Sequence, residues 1–247
     1  MTSAGLAIPL AAALVASYLI GSVPWAYLIV RHVAHVDITE HGTGNVGAMN
    51  VRRSTGSWRW FAVAVLADGL KGLVPVLVTR GVVTGFSLAA LTTPWGIAAL
   101  SLVRAGQTAG VGSTVLVLAA VPPLAVLGAV LGHNYSLWLA IRSRCLTRTG
   151  KGLATGAGAM LAYDWRYFVA VVAVALVVIA ISRYMMAGQV AAAAALPVAA
   201  LALHSPDWPF ALLMGVIVYS AHHRRFVGLL HGREPKLYVN DGRGPRG

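Results

Sequence analysis

Acidic residues are scarce in this chain: seven Asp and Glu stand against 19 Lys and Arg, and only 11% of the 247 residues are charged. A water-soluble domain of this length needs more polar surface than that, so a soluble globular core is excluded. Cysteine is all but absent. Cys145 stands alone, which rules out an internal disulfide and leaves the thiol incidental. No cysteine or carboxylate cluster accompanies the adjacent His222 and His223, and neighbouring histidines on a helix point in different directions. No metal site is expected from them.

What fills the chain is apolar: 58% of residues are hydrophobic and the mean hydropathy is +0.75. A run of about 20 such residues matches the hydrocarbon thickness of a bilayer when helical. Runs of this kind fall at residues 6–30, 61–78, 114–131, 168–181, 187–203 and 208–220. A shorter apolar piece, 152–162, suits a Gly-rich helix packed inside a bundle, and the alanines of 191–195 permit close helix approach. The expected fold class is all-α, a polytopic membrane bundle of seven transmembrane helices. Residues 1–239 read as one integral membrane domain and 240–247 as a disordered basic tail. The first run is too long for a signal peptide and has no basic flank before it.

Lys and Arg accumulate in cytoplasmic loops. With the N-terminus outside, Arg31, Arg52, Arg53, Arg59, Arg142, Arg144, Arg148, Lys151, Arg183 and all the basic residues from Arg224 to Arg246 fall inside. Lys71, Arg80, Arg104 and Arg166 are the exceptions. The C-terminus is therefore expected in the cytoplasm. Residues 86–103 are also mostly apolar, around Pro94. A crossing there would put Lys151 and Arg53 on opposite faces, so this stretch is expected to be a re-entrant or interfacial insertion. The net charge of +12 raises a nucleic-acid partner. It is spread over loops tied to membrane helices with no room for a nucleic-acid fold, and attraction to anionic headgroups of the lipid bilayer explains it more simply.

Function is legible where the apolar pattern breaks. The loop after the first run carries Gly42, Thr43, Gly44, Asn45, Gly47, Asn50 and Arg53. Its glycines let backbone N–H groups turn toward an anion, its amides add donors and Arg53 adds a fixed cation. Such a loop is also an ordinary connector. Asp68 and Lys71 lie three apart inside the second run, followed by Gly72 and Pro75. Ionisable groups there face a protein interior or a watery cavity, or neutralise each other. Gly132 and His133 close the third run and lead to Gly150-Lys151-Gly152. A glycine-flanked lysine opening a helix is a phosphate site, although the spacing of a Walker A loop is missing. After the last run come His222, Arg225, Gly232 and Glu234.

These segments follow one another as Gly21-Ser22-x-Pro24, Asp37-Ile38, Gly42 to Arg53, Asp68-x-x-Lys71-Gly72-x-x-Pro75, Gly132-His133, Gly150 to Thr155 and Gly232-x-Glu234. In that order the chain resembles the bacterial acyl-phosphate:glycerol-3-phosphate acyltransferases, the PlsY family. The resemblance implies a seven-span enzyme with its active site on the cytoplasmic side of the bacterial cell membrane and with neither metal nor cofactor. It implies transfer of a fatty acyl group from acyl phosphate to glycerol-3-phosphate, giving lysophosphatidic acid for phospholipid biosynthesis. Thr43 stands where the family has its active-site serine, and His222 where it has the histidine of the acceptor site. Gly42, Gly44, Asn45, Gly47, Asn50, Arg53, Lys71, His133, Gly150, Lys151, Gly152, Arg225 and Glu234 are the expected substrate and phosphate contacts. An acyl phosphate is already activated and its leaving phosphate can take a proton. The protein's task is then to hold two phosphates and place a hydroxyl, with His222 a candidate base.

The sequence departs from the family at Thr39, Met49, Thr149, Arg225 and Gly228, where the family has arginine, threonine, glycine, asparagine and arginine. The stretch from His133 to Arg148 is also about six residues longer than usual, by the spacing of the flanking motifs. Two other readings stay open on this ground: an acyltransferase of the same architecture with another acceptor, or a catalytically silent lipid-binding or transport protein.

Overall fold

The computed structural model describes residues 3–92, 111–234 and 236. Among these the chain is helical, with no strand. The helices are α1 (Ser3–Gly21), α2 (Trp25–Val33), α3 (Ala48–Thr55), α4 (Trp58–Thr92), α5 (Val111–Asn134), α6 (Leu137–Ser143), α7 (Leu153–Tyr163), α8 (Trp165–Ser182), α9 (Met185–Ala202) and α10 (Trp208–Leu230). Five stretches are long and apolar enough to cross a membrane: Ile8–Val33, Trp58–Val83, Ala119–Ser143, Trp165–Ser182 and Met185–Ala202. The other two expected runs are α7, which is shorter, and α10, which carries His222, His223, Arg224 and Arg225 before its apolar last turn. The tail at 240–247, and the expected insertion from residue 93 onward, lie outside the described residues; before that point α4 continues unbroken to Thr92.

By packing, the chain divides into two compact units, Met1–Asp164 and Trp165–Gly247. In the first, α1 lies along α5 and α4 along α7, with α5 also touching α4 and α7. Glycine makes both pairings close. A Cβ at Gly132 would stand 2.2 Å from the Tyr18 carbonyl oxygen, and one at Gly72 would stand 2.0 Å from that of Thr155. Only a backbone without side chains fits there, as expected for helices packed by small residues. In the second unit, α9 packs between α8 and α10.

The first apolar run is not one straight helix. Pro24 has no N–H to donate, and the chain breaks between α1 and α2 at Ser22–Pro24. Carbonyls at the break accept side chains from other elements: Ser136 Oγ donates to Ser22 O at 2.6 Å, and Lys71 Nζ to Val23 O at 2.9 Å beside the Trp25 N–H. Ser22 Oγ in turn accepts the Leu137 N–H at 3.2 Å. This is the local reason for the Gly-Ser-x-Pro element.

The longer stretch after His133 folds as α6, which is N-capped by Ser136. Leu139 seats it in a small apolar core with Ala26, Ile29, Val30, Ile38, Val46, Val51 and Ala64. Arg142 ties it to the first loop, donating to Asp37 Oδ2 and to the Tyr27 hydroxyl at 2.7 Å each. At the other end of this unit, Arg80 donates to the carbonyls of Ala162 and Tyr163, where α7 ends.

Candidate active site

Asn50, on α3, is the bolt of the first loop. It is 1% exposed, and its Nδ2 donates to the carbonyls of Ile38 at 3.1 Å and His41 at 2.9 Å. Its Oδ1 accepts the N–H of Thr43 at 3.2 Å. Both ends of the Asn50 amide are thus used on the loop backbone. Gly42 and Gly44 both sit in the left-handed region, at φ +61° and +67°, where a side chain is strained. A Cβ on Gly42 would also meet Asn50 Oδ1 at 2.2 Å. Thr43 is held between them on the exposed side of the loop, and the Arg53 stem passes close to Gly42. Asn45 and Gly47 are half-buried; the Asn45 amide occupies the space a side chain at 47 would need.

The second loop is laid directly on the first. Val46 N–H donates to the Thr149 carbonyl at 2.7 Å, so Gly150, Lys151 and Gly152 follow immediately beside the Gly42–Gly47 segment. Thr149 and Gly150 both donate their N–H to the Asn134 carbonyl, at 2.8 and 3.4 Å. Thr149 Oγ1 accepts the Ser136 N–H at 3.3 Å, which explains the side chain here. Gly152, at φ +76°, is the N-cap of α7. A Cβ on Gly150 would stand 2.4–2.5 Å from the His133 ring and carbonyl. Lys151 is half-buried at this junction, and the N-terminus of α7 adds partial positive charge. The two basic loops thus lie side by side.

Lys71 and His133 are placed differently from the expectation of phosphate contacts. Lys71 is 5% exposed, with Nζ 2.9 Å from Asp68 Oδ1 and 2.9 Å from Val23 O. His133 is 8% exposed, with Nδ1 3.6 Å from the same carboxylate oxygen. Both are turned into the bundle below the loops. Asp68, which belongs with them, was legible as the first residue of the D-x-x-K spacing but was not among the expected site residues. Asp37 also serves the site indirectly. Burial pushes its pKa up, but two hydrogen bonds from Thr39 and the nearby Arg142 and Arg31 outweigh this and hold it below the usual aspartate value.

The second unit carries its own cluster on α10 and the turn after it. His222 is 1% exposed, and its Nδ1–H donates to the Val218 carbonyl at 2.8 Å. In the neutral ring this leaves Nε2 as the basic nitrogen. Arg225 is held bidentately by Glu234, its Nε 2.8 Å from Oε1 and its Nη2 against Oε2. Two expected substrate contacts are therefore paired with each other. Among the described residues no group of His, Cys, Asp and Glu could hold a metal ion.

A multi-pass helical protein carrying glycine-rich loops, Arg53 and Lys151 on one face of its bundle belongs to the class of integral membrane enzymes that handle phosphorylated substrates. The glycerol-3-phosphate acyltransferase family matches residues 11–232, and the chain belongs to that family. It is 34% identical over 229 residues to a glycerol-3-phosphate acyltransferase of Thermosynechococcus vestitus, covering 92% of this chain and 94% of that one. It is likewise 34% identical to glycerol-3-phosphate acyltransferase 2 of Moorella thermoacetica, covering 91% and 96%. In fold it resembles the crystal structure of PlsY, an integral membrane glycerol 3-phosphate acyltransferase, in its glycerol 3-phosphate form. The TM-score is 0.69 at 23% identity, covering 93% of this chain and 96% of that one.

Proposed function

We propose that this membrane acyltransferase moves a fatty acyl group from acyl phosphate to a hydroxyl of glycerol-3-phosphate, releasing phosphate and giving lysophosphatidic acid. The observation that carries the reading is the backbone bond from Val46 to Thr149, which sets the loop leading into α3, the helix that carries Arg53, beside the Lys151 loop. Two anions that must react need their mutual repulsion neutralised and their reacting atoms held close, and two adjacent segments that each carry a cation do both. Arg53 and Lys151 hold phosphate oxygens, and the Thr43 side chain is presented on the exposed side of a loop whose own N–H groups at Thr43, Gly44 and Val46 are bonded to Asn50, His41 and Thr149. The leaving phosphate can itself take the hydroxyl proton, so the reaction needs no protein base. The chain crosses the membrane seven times with its N-terminus outside, and the loops face the cytoplasm, where the basic residues gather.

The test is direct. Purified protein in detergent, given acyl phosphate and labelled glycerol-3-phosphate, should form labelled lysophosphatidic acid and phosphate in equal amounts. Hydrolysis of acyl phosphate without acceptor turnover, or transfer only to another hydroxyl compound, would replace the proposed acceptor.

A further inference from the structure

We propose that Asp68, Lys71 and His133 are positioning residues of this acyltransferase: a buried network from the Val23 carbonyl through Lys71 and Asp68 to His133 holds that imidazole against Gly150 and so fixes the loop carrying Lys151. The inference rests on the reading of that loop as a phosphate site.

Three ionisable side chains in membrane-spanning helices, exposed by 2%, 5% and 8%, are expensive to keep there and need a reason. Mutual neutralisation of Asp68 and Lys71 would be reason enough for a self-contained pair one turn apart on α4. The pair is not self-contained. Lys71 reaches past Asp68 to Val23 O, one of the carbonyls where α1 breaks into α2. Asp68 Oδ1 faces His133 Nδ1 on α5 at 3.6 Å, and that nitrogen has no hydrogen-bond partner among the described residues. One point of charge thus joins the α1/α2 break, α4 and α5.

The far edge of the same ring meets the loop. His133 Nε2 and Cδ2 fill the space where a side chain at Gly150 would begin, at 2.4 and 2.5 Å. The ring is therefore a floor under Gly150, whose neighbour Thr149 is hydrogen-bonded to the Asn134 carbonyl next along α5. If the imidazole swung away from Asp68, it would either push into the Gly150 backbone or leave a gap beneath it. Either way Lys151 would move. Misplacing a preorganised group by about 1 Å costs on the order of 10²-fold in rate. None of the three side chains lies on the exposed side of the loops, so they act through the loop rather than on substrate.

The experiment compares wild type with Asp68→Leu/Lys71→Met and with His133→Phe. The double variant removes both charges and leaves no lone ion buried, a change that folded proteins often tolerate. His133→Phe keeps a ring against Gly150 and removes the nitrogen facing Asp68. Thermal unfolding, kcat, KM for glycerol-3-phosphate and binding of inorganic phosphate by calorimetry are measured on each. Folded variants are expected to show kcat/KM reduced at least tenfold, chiefly through KM, with phosphate binding weakened in parallel. Adding Lys151→Ala to His133→Phe should then cost less than Lys151→Ala costs in the wild-type background.

A folded variant with wild-type KM and phosphate affinity overturns the proposal. Failure of His133→Phe to fold overturns it too, since the network would then be purely structural. If the double variant alone fails to fold, His133→Phe decides. A wild type that binds phosphate through Lys151 but does not make lysophosphatidic acid would refute the proposed reaction instead, and the phosphate titration would still score the network.

Discussion

The N–H of Val46 donates to the carbonyl of Thr149 at 2.7 Å, across more than a hundred residues of sequence. The proposed two-phosphate site depends on this bond, because α3 with Arg53 follows one of the joined segments and Lys151 follows the other. Arg53→Ala and Lys151→Ala are each expected to lower kcat/KM for acyl transfer by 10²-fold or more, since one preorganised electrostatic contact contributes about 3–4 kcal/mol. Circular dichroism and unfolding temperature should stay near wild type. A purified variant with wild-type turnover would remove that residue from the site.

Asn50 acts on the same loop from underneath. Asn50→Ala removes the amide bonds to the carbonyls of Ile38 and His41, which keep only their backbone donors, and leaves the Thr43 N–H without its acceptor, at a cost of about 1–3 kcal/mol. The expected result is a lower unfolding temperature together with a loss of activity larger than the fraction unfolded explains, because Gly42, Thr43 and Gly44 lose the anchor that fixes their conformation. Activity falling only in proportion to the folded fraction would show that the loop does not depend on this amide.

Asp37 gives the first loop and α6 a pH-sensitive link through Arg142. Its folded pKa lies below the ordinary value of about 3.9. A carboxylate stabilised in the folded state contributes stability above its unfolded pKa and loses it as pH falls through the folded one. Arg142 is half-exposed, so the contribution is modest and salt-screened. The difference in unfolding temperature between wild type and Asp37→Asn should be constant from pH 5 to 8, shrink below about pH 4 and disappear once Asp37 is protonated. A difference that persisted in full through the acid range would mean the charge of Asp37 is irrelevant.

The exposed thiol of Cys145 reports the sidedness of these loops without mutation. In sealed right-side-out vesicles an impermeant maleimide should leave it unlabelled until the membrane is opened. Arg53→Cys in a Cys145→Ser background should behave alike, and Arg80→Cys should label from outside. Opposite behaviour of Cys145 and Arg53→Cys would contradict the shared face.

The helices were legible because a bilayer imposes length and apolarity, and the break at Pro24 had its proline in plain view. The ordered glycine, histidine and lysine motifs gave the family. Side-chain direction was not legible. Asn50 and Lys71 look like ligands because an amide and an ammonium are ligand chemistry, and nothing in sequence spacing says that one is spent on Ile38 and His41 and the other on Asp68 and Val23. The extra residues after His133 read as a longer loop because a helix as short as α6 is too brief to show a period. It is held by Ser136, Leu139 and Arg142, whose partners are remote in sequence.

Arg225 poses the same problem at the other end of the chain. A lone arginine replacing the family's asparagine invites the reading that it binds an acceptor phosphate, yet its guanidinium is engaged by both oxygens of Glu234. A bidentate pair with side chains 35% and 10% exposed is worth about 1 kcal/mol, and its main effect is to hold the chain after α10 against the helix. Arg225→Asn restores the family residue but strands the Glu234 carboxylate; Glu234→Gln strands the guanidinium. Each single change is expected to reduce acyl transfer to glycerol-3-phosphate, and the double change to reduce it by no more than the worse single one, a coupling of about fivefold. If Arg225 instead bound the acceptor directly, Glu234→Gln would free it and lower KM for glycerol-3-phosphate, while Arg225→Asn would raise KM whether or not Glu234 were present. Additive losses with that KM pattern would show that the arginine works on the substrate and not on its own tail.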